Sequence, residues 1–212
     1  MELLSDAGRE IIATDLLGHG TAPKPHDPAE YVNLEANLTA ALPPESPVDA
    51  VGFSLGSRLL LSVAATRPDT FGRIVLGGVG ENVFRNDDAE PMARLVEGSL
   101  DGAGLATARA GGRASLARAL VRFAQTPGND PLALAACLRR PVDPLTPEML
   151  GEVRVPVLVV LGDRDFAGPA GPLVDALPDA TLVVLEGVDH LATPMSFGFI
   201  DAALGFLGAL PA

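Results

Sequence analysis

A chain of 212 residues that is 48% hydrophobic and 20% charged fits one domain with a sizeable core. Its formal net charge of −12 repels nucleic acid and anionic lipid, so neither is expected as a partner, and Met1–Glu10 has no basic flank or apolar run of the kind a signal peptide needs. The single cysteine, Cys137, has no internal disulfide partner, which fits a small core residue and a reducing, cytoplasmic setting.

Along the chain, short apolar runs alternate with helical patterns in the manner of a parallel α/β sheet. Arg9–Thr14 reads as a first strand. A loop follows with Gly18, His19, Gly20 and the prolines Pro23, Pro25 and Pro28, after which Asp27 is expected to cap a helix whose Leu34, Leu38 and Leu42 share one face. Pro47–Phe53 reads as a buried strand carrying Val48, Val51 and Phe53. Leu55–Arg67 has Leu55, Leu59 and Val63 at helical spacing and stops at Pro68.

Arg73–Gly77, Pro156–Leu161 and Thr181–Leu185 read as three further buried strands. Residues 82–150 differ in character: they are rich in Ala and Arg, lack a convincing strand, and are divided into short helices at Gly102, Gly111, Gly112, Gly128 and Pro141. This segment reads as an inserted helical cap, with 1–81 and 151–212 as the core domain. Its eight arginines balance its eight acidic residues, so the core carries the whole negative charge. Ala192–Ala212 is free of Lys and Arg, but Asp201 and its glycines favour a last amphipathic helix packed on the sheet over a membrane span.

Gly52-Phe53-Ser54-Leu55-Gly56 is a G-x-S-x-G pattern placed where a strand turns into a helix, the setting of a nucleophile elbow. The pattern alone is weak, and its placement carries the weight. In so tight a turn the serine backbone is expected to be strained and both Gly52 and Gly56 to be required, leaving the Ser54 hydroxyl clear of the sheet. A serine nucleophile needs a base for its proton and an anchor for that base. His19 and His26 fall in the early loop and read as ordinary loop residues. His190 follows the last strand, and because loops at the carboxyl ends of parallel strands line one crevice, it is expected to share an edge with Ser54. Two carboxylates, Asp163 and Asp165, follow Pro156–Leu161. Asp165 stands far enough past the strand to face a histidine loop, whereas Asp163 suits a turn cap or a partner for Arg164.

The order Ser54, Asp165, His190, together with Asp15-Leu16-Leu17-Gly18-His19-Gly20, the elbow, Gly162-Asp163-Arg164-Asp165 and Gly187-Val188-Asp189-His190, resembles the α/β-hydrolase-fold family, in its group with a helical cap. The resemblance runs from Glu10 to the C-terminus. It implies an α/β fold with a mostly parallel sheet, flanking helices and a cap insertion. It further implies that Ser54, Asp165 and His190 form a catalytic triad, that the Leu55 backbone N–H is an oxyanion donor, and that no cofactor or metal is used. The activity implied is hydrolysis of a small carboxylic ester, lactone or thioester through an acyl-enzyme. Carbon–carbon bond hydrolysis, cofactor-free perhydrolase chemistry and non-catalytic ligand binding stay open as alternatives. Serine at the elbow weighs against epoxide hydrolases and haloalkane dehalogenases, whose relatives place aspartate there.

The resemblance puts the substrate between the sheet edge and residues 82–150, with Met92, Leu95, Leu116, Leu120 and Phe123 as candidate apolar walls, although packing is the commoner fate of such residues. Arg118 and Arg122 suit either an acidic substrate or, more commonly, a solvated face. One departure matters: family members have further strands before the Gly-His-Gly loop, one of them central, whose following loop gives a second oxyanion donor. That region has no counterpart here, and Met1–Leu4 corresponds to the tail of a helix. A coding region that begins upstream of Met1 is therefore expected, with unpaired backbone on Arg9–Thr14 and on the elbow strand.

Overall fold

The computed structural model describes residues 2–44, 47–85, 89–100 and 114–209. Its helices, in chain order, are α1 (Glu2–Asp6), α2 (Leu34–Ala40), α3 (Leu55–Thr66), α4 (Glu90–Glu97), α5 (Ala114–Ala124), α6 (Pro131–Leu138), α7 (Pro147–Leu150), α8 (Gly171–Ala176) and α9 (Phe197–Phe206). The strands are β1 (Val48–Phe53), β2 (Phe71–Gly77), β3 (Val157–Gly162) and β4 (Ala180–Leu185). Two compact units emerge: Met1–Ala13, Ala41–Asn86 and Pro144–Ala212 form one, and Thr14–Ala40 with Asp87–Asp143 forms the other.

In the first unit the strands lie in the order β1-β2-β3-β4, every pair parallel. β3 is buried at every position, as an interior strand of a parallel sheet covered on both faces must be, and its Val-Leu-Val-Val-Leu run supplies the apolar side chains for that. One register line passes through Phe53, Gly77, Val160 and Val183. The carboxyl ends of all four strands therefore meet along a single edge, where the loops after them gather. Against the sheet, Phe199, Ala203 and Leu204 of α9 pack with Val75, Leu158, Val160 and Leu185. α3 buries Leu59, Leu60, Leu61 and Val63 and ends before Pro68, which cannot continue it.

Three expected strands differ. Arg9–Thr14 is not a strand: residues 9–16 take no regular structure, because no described strand lies beside them to complete a ladder. The side chain anchors this segment instead, Arg9 Nη2 donating to the Leu207 carbonyl at 2.5 Å while Asp49 lies 3.7 Å away. Likewise β1 is no buried strand. It pairs only with β2, so it forms one edge of the described sheet, and Val51 is 44% exposed. At the other edge β4 pairs only with β3 and is no buried strand either, with Leu182 and Val184 exposed.

The second unit gathers α2, α4, α5 and α6. Ala93, Val96, Ala124, Leu134 and Ala135 form its core, and Leu120 packs against them, the packing role rather than a wall. Phe123 is exposed, while the Leu116 side chain and the expected breaks at Gly102, Gly111 and Gly112 lie outside the described residues. Residues 14–40 group here instead of with the sheet, since the turn Pro28–Tyr31 rests on α6 and His26 Nε2 is 2.8 Å from Asp130 Oδ2. Asp27 does cap, accepting from the Ala29 N–H, but the capped element is a single 3-10 turn and α2 begins separately at Leu34. The break follows Tyr31, whose buried ring is tied back by its hydroxyl donating to the Pro25 carbonyl at 2.7 Å. Leu42 lies beyond α2. Among the described residues no helix is long and apolar enough to cross a membrane.

Arg139, at the end of α6, grips α4 through both its carboxylates: Nε donates to Glu90 Oε2 at 2.7 Å and Nη2 to Glu97 Oε2 at 2.9 Å. These hydrogen bonds, with a further one from Arg94, hold the Glu90 carboxyl down at about 2. Carboxylates held low in the folded chain stabilise it above their ordinary value of 4.5 and lose that contribution as pH falls toward 2. The pairs are partly exposed, so the contribution is modest. Between pH 4.5 and 2 the wild type should therefore lose thermal stability more steeply than Arg139→Met. Parallel curves for the two proteins would contradict this.

Candidate active site

Ser54 fills the one-residue turn between β1 and α3, with φ 52° and ψ −108°. Among the described residues it is the one non-glycine with positive φ, a strain that the surroundings must enforce. They do so through β2: the Ser54 N–H donates to the Gly77 carbonyl at 2.8 Å. Ser57 Oγ donates to the same carbonyl at 2.9 Å and accepts from the Gly77 N–H at 3.1 Å. Fully buried, Ser57 pins the elbow to the end of β2. Sequence reading missed it, and its only signal is a small polar residue on the apolar stripe of a helix.

Gly52 is needed as expected, since a Cβ there would lie 2.7 Å from the Ser57 nitrogen and 2.8 Å from the Gly56 carbonyl carbon. Gly56 is not. A Cβ on it would meet nothing within 4 Å, because the position opens away from the turn. Leu55 begins α3, so its N–H is one of those that helix geometry leaves without an intrahelical acceptor. Although Ser54 stands at the N-cap position, its hydroxyl makes no capping bond. Instead Oγ lies 3.1 Å from His190 Nε2.

The other ring nitrogen of His190 faces Asp165, with Nδ1 at 3.0 Å from Oδ1 and 2.9 Å from Oδ2. The Asp165 side chain is fully buried, and its Oδ1 also accepts from the Ala167 N–H at 2.9 Å. A carboxylate only accepts, so Nδ1 must carry the proton toward it; in the neutral ring this leaves Nε2 as the acceptor for the serine hydroxyl. Thus Ser54, His190 and Asp165 come together, from loops after β1, β4 and β3. A hydroxyl with a basic nitrogen at its proton and a buried carboxylate behind that ring is chemically equipped for nucleophilic attack.

Asp163 does not reach this line. It caps the neighbouring turn, Oδ1 accepting from the Gly187 N–H at 2.7 Å. Asp163 N–H donates to the Leu185 carbonyl at 3.0 Å and Arg164 N–H to the Val188 carbonyl at 3.1 Å, so the loop after β3 is stitched to the loop that delivers His190. The approach is so close that a Cβ on Gly162 would lie 2.0 Å from the Val188 carbonyl oxygen. His19 and His26 belong to the second unit, where their ring nitrogens face the Leu17 carbonyl and Asp130. Among the described residues no cluster of His, Cys, Asp and Glu suits a metal ion.

The family model for alpha/beta hydrolases matches residues 1–201. The chain belongs to the alpha/beta hydrolase family. A pimeloyl-acyl-carrier-protein methyl ester esterase from Neisseria meningitidis is 29% identical to this hydrolase-family chain, over 85% of the chain and 62% of the esterase. The chain thus spans about three fifths of the length of that curated relative. Among solved structures, a bromoperoxidase from Bacillus anthracis aligns with a TM-score of 0.71 at 22% identity, covering 98% of this chain and 84% of the other. An enol-lactonase from Burkholderia xenovorans aligns with a TM-score of 0.67 at 21% identity, covering 92% and 79%. These structures share the fold.

The Gly162 contact yields a direct expectation. Gly162→Ala should destabilise the protein by about 1–3 kcal/mol in urea unfolding, the usual cost of forcing an atom into a packed backbone contact. An unchanged midpoint would show that the two loops part freely.

Proposed function

We propose that this hydrolase-family chain is a serine hydrolase acting on a small carboxylic ester, lactone or thioester, with Ser54 as nucleophile, His190 as general base and acid, and Asp165 as the anchor of His190. The observation that carries the reading is the continuous hydrogen-bonded line from Ser54 Oγ through both nitrogens of His190 to the buried carboxylate of Asp165. The esterase and the enol-lactonase among the similar proteins support the ester and lactone classes. A free, buried Cys137 is consistent with work in the cytoplasm.

In this reading Ser54 Oγ bonds to the substrate carbonyl carbon as its proton passes to His190 Nε2. Negative charge gathers on the former carbonyl oxygen, where the Leu55 N–H at the start of α3 is the donor nearest in sequence to the nucleophile. Collapse of the tetrahedral species breaks the bond to the leaving group, which takes the proton from His190, and leaves Ser54 acylated. Water then gives a proton to His190 and its oxygen to the acyl carbon, releasing the acid and restoring the serine hydroxyl. Asp165 keeps its charge throughout and stabilises the imidazolium.

A fluorophosphonate probe should label the wild type and leave Ser54→Ala unlabelled, and a panel of short- and long-chain nitrophenyl esters then reads acyl preference. Asp165→Asn should lower kcat about 10³- to 10⁴-fold, as expected when the histidine is left in the wrong tautomer. A folded wild type that takes no probe would overturn the hydrolase reading.

A further inference from the structure

Two phenyl rings converge on the His190 imidazole, and neither belongs to the proton path. The Phe53 ring centroid lies 4.8 Å from that of the imidazole with the planes 40° apart, and the Phe166 centroid lies 4.4 Å away at 44°. Phe53 immediately precedes Ser54, and Phe166 immediately follows Asp165. Each hydrogen-bond partner of the histidine therefore brings an aromatic neighbour with it.

Room for this arrangement comes from two glycines at the end of β2. A Cβ on Gly78, which has φ +68°, would stand 2.6 Å from Phe53 Cε2 and 2.9 Å from His190 Cε1. A Cβ on Gly77 would crowd Phe53 Cδ2 at 3.3 Å. The bare backbone of Gly77 and Gly78 is the floor on which the Phe53 and His190 rings rest.

Hydrogen bonds at Nδ1 and Nε2 fix two points of the imidazole, but a planar ring held at two points still rocks about the line that joins them. Tilted aromatic contacts are directional and oppose that rotation. Phe166 is 38% exposed, more than a ring present only to fill a core would be.

We propose that Phe53 and Phe166 are positioning residues that hold the His190 imidazole in the plane where Nδ1 meets Asp165 and Nε2 meets Ser54. The proposal rests on His190 being the base of the serine hydrolase.

The test uses Phe166→Ala and Phe166→Tyr with a short-chain nitrophenyl ester, and the imidazole signals of His190 by NMR. With only three histidines in the chain, loss of a signal in His190→Gln assigns it. Phe166→Ala should lower kcat about 10- to 100-fold and leave KM within about twofold, as for a misplaced catalytic group, and Phe166→Tyr should restore kcat by keeping the ring. Loss of the Phe166 ring current moves the His190 ring signals by itself, so the readout is solvent exchange of the His190 Nδ1 proton, which should quicken in Phe166→Ala and stay slow in Phe166→Tyr, where the ring keeps that proton on Asp165. A raised KM with unchanged kcat would make Phe166 a substrate wall and overturn the proposal, as would a tyrosine variant as slow as the alanine one or an Nδ1 proton that exchanges no faster in Phe166→Ala. Should the alanine variant not fold, Phe166→Leu keeps the bulk without the ring and is read by the same split. If the wild type takes neither ester nor fluorophosphonate, the hydrolase reading fails on its own, and exchange of the His190 Nδ1 proton still decides whether the Phe166 ring holds the imidazole.

Discussion

A carboxylate withdrawn from water must be satisfied, and the fully buried side chain of Asp165 imposes that constraint on everything around it. One partner is local, the Ala167 N–H two residues on. The other is the Nδ1 proton of His190, which arrives from a different strand and a sequence distance of 25 residues. For that partner to be present, the loop after β4 has to be held against the loop after β3. Asp163, Gly162 and Arg164 do this: one accepts a backbone N–H, one gives up a side chain to permit the approach, and one donates its own N–H. The residue beside the buried acid thus matters as much to the geometry as the acid itself.

The opposite end of the imidazole depends on a different strain. Ser54 takes a backbone conformation that a side chain disfavours, and the Gly77 carbonyl compensates by accepting from both Ser54 and Ser57. β2 therefore serves the elbow from beneath without lending it a side chain. Gly77 and Gly78 are small because the rings of Phe53, Phe199 and His190 occupy the space a side chain there would need. The parallel register joins these two halves, since the line through Phe53, Gly77, Val160 and Val183 brings the carboxyl ends of all four strands, and the loops after them, to one edge.

The edge position of β1 has its own consequences. Without a second neighbour, Val51 lies open and the segment after α1 stays irregular, tied down by Arg9 to Leu207 and Asp49 instead of by a ladder. Asp49 also takes Arg73 of β2 at 3.1 Å, so the same carboxylate ties the irregular segment to the β1–β2 pair. Elsewhere the short apolar strands need no such help: β2 and β3 are walled by partners on each side and by helices over the sheet.

By itself the sequence determined the alternation of strands and helices, the placement of Gly52 and Ser54 at a strand-to-helix turn, and the chain order of Ser54, Asp165 and His190. These depend on local periodicity, on glycine and proline, and on which loop follows which strand, all of which a linear reading retains. The resemblance already pointed to a missing neighbour for both segments, but only the tertiary structure decided what each does without one: the elbow strand persists with Val51 exposed, whereas Arg9–Thr14 is irregular although it reads as a strand by pattern. The same holds for Ser57, Asp163 and Gly162, whose partners are distant carbonyls and amides, and for Gly56, whose surroundings are empty. Hydrogen bonding and steric contact at these residues are properties of pairs brought together by folding, and no spacing along the chain encodes the identity of the second member.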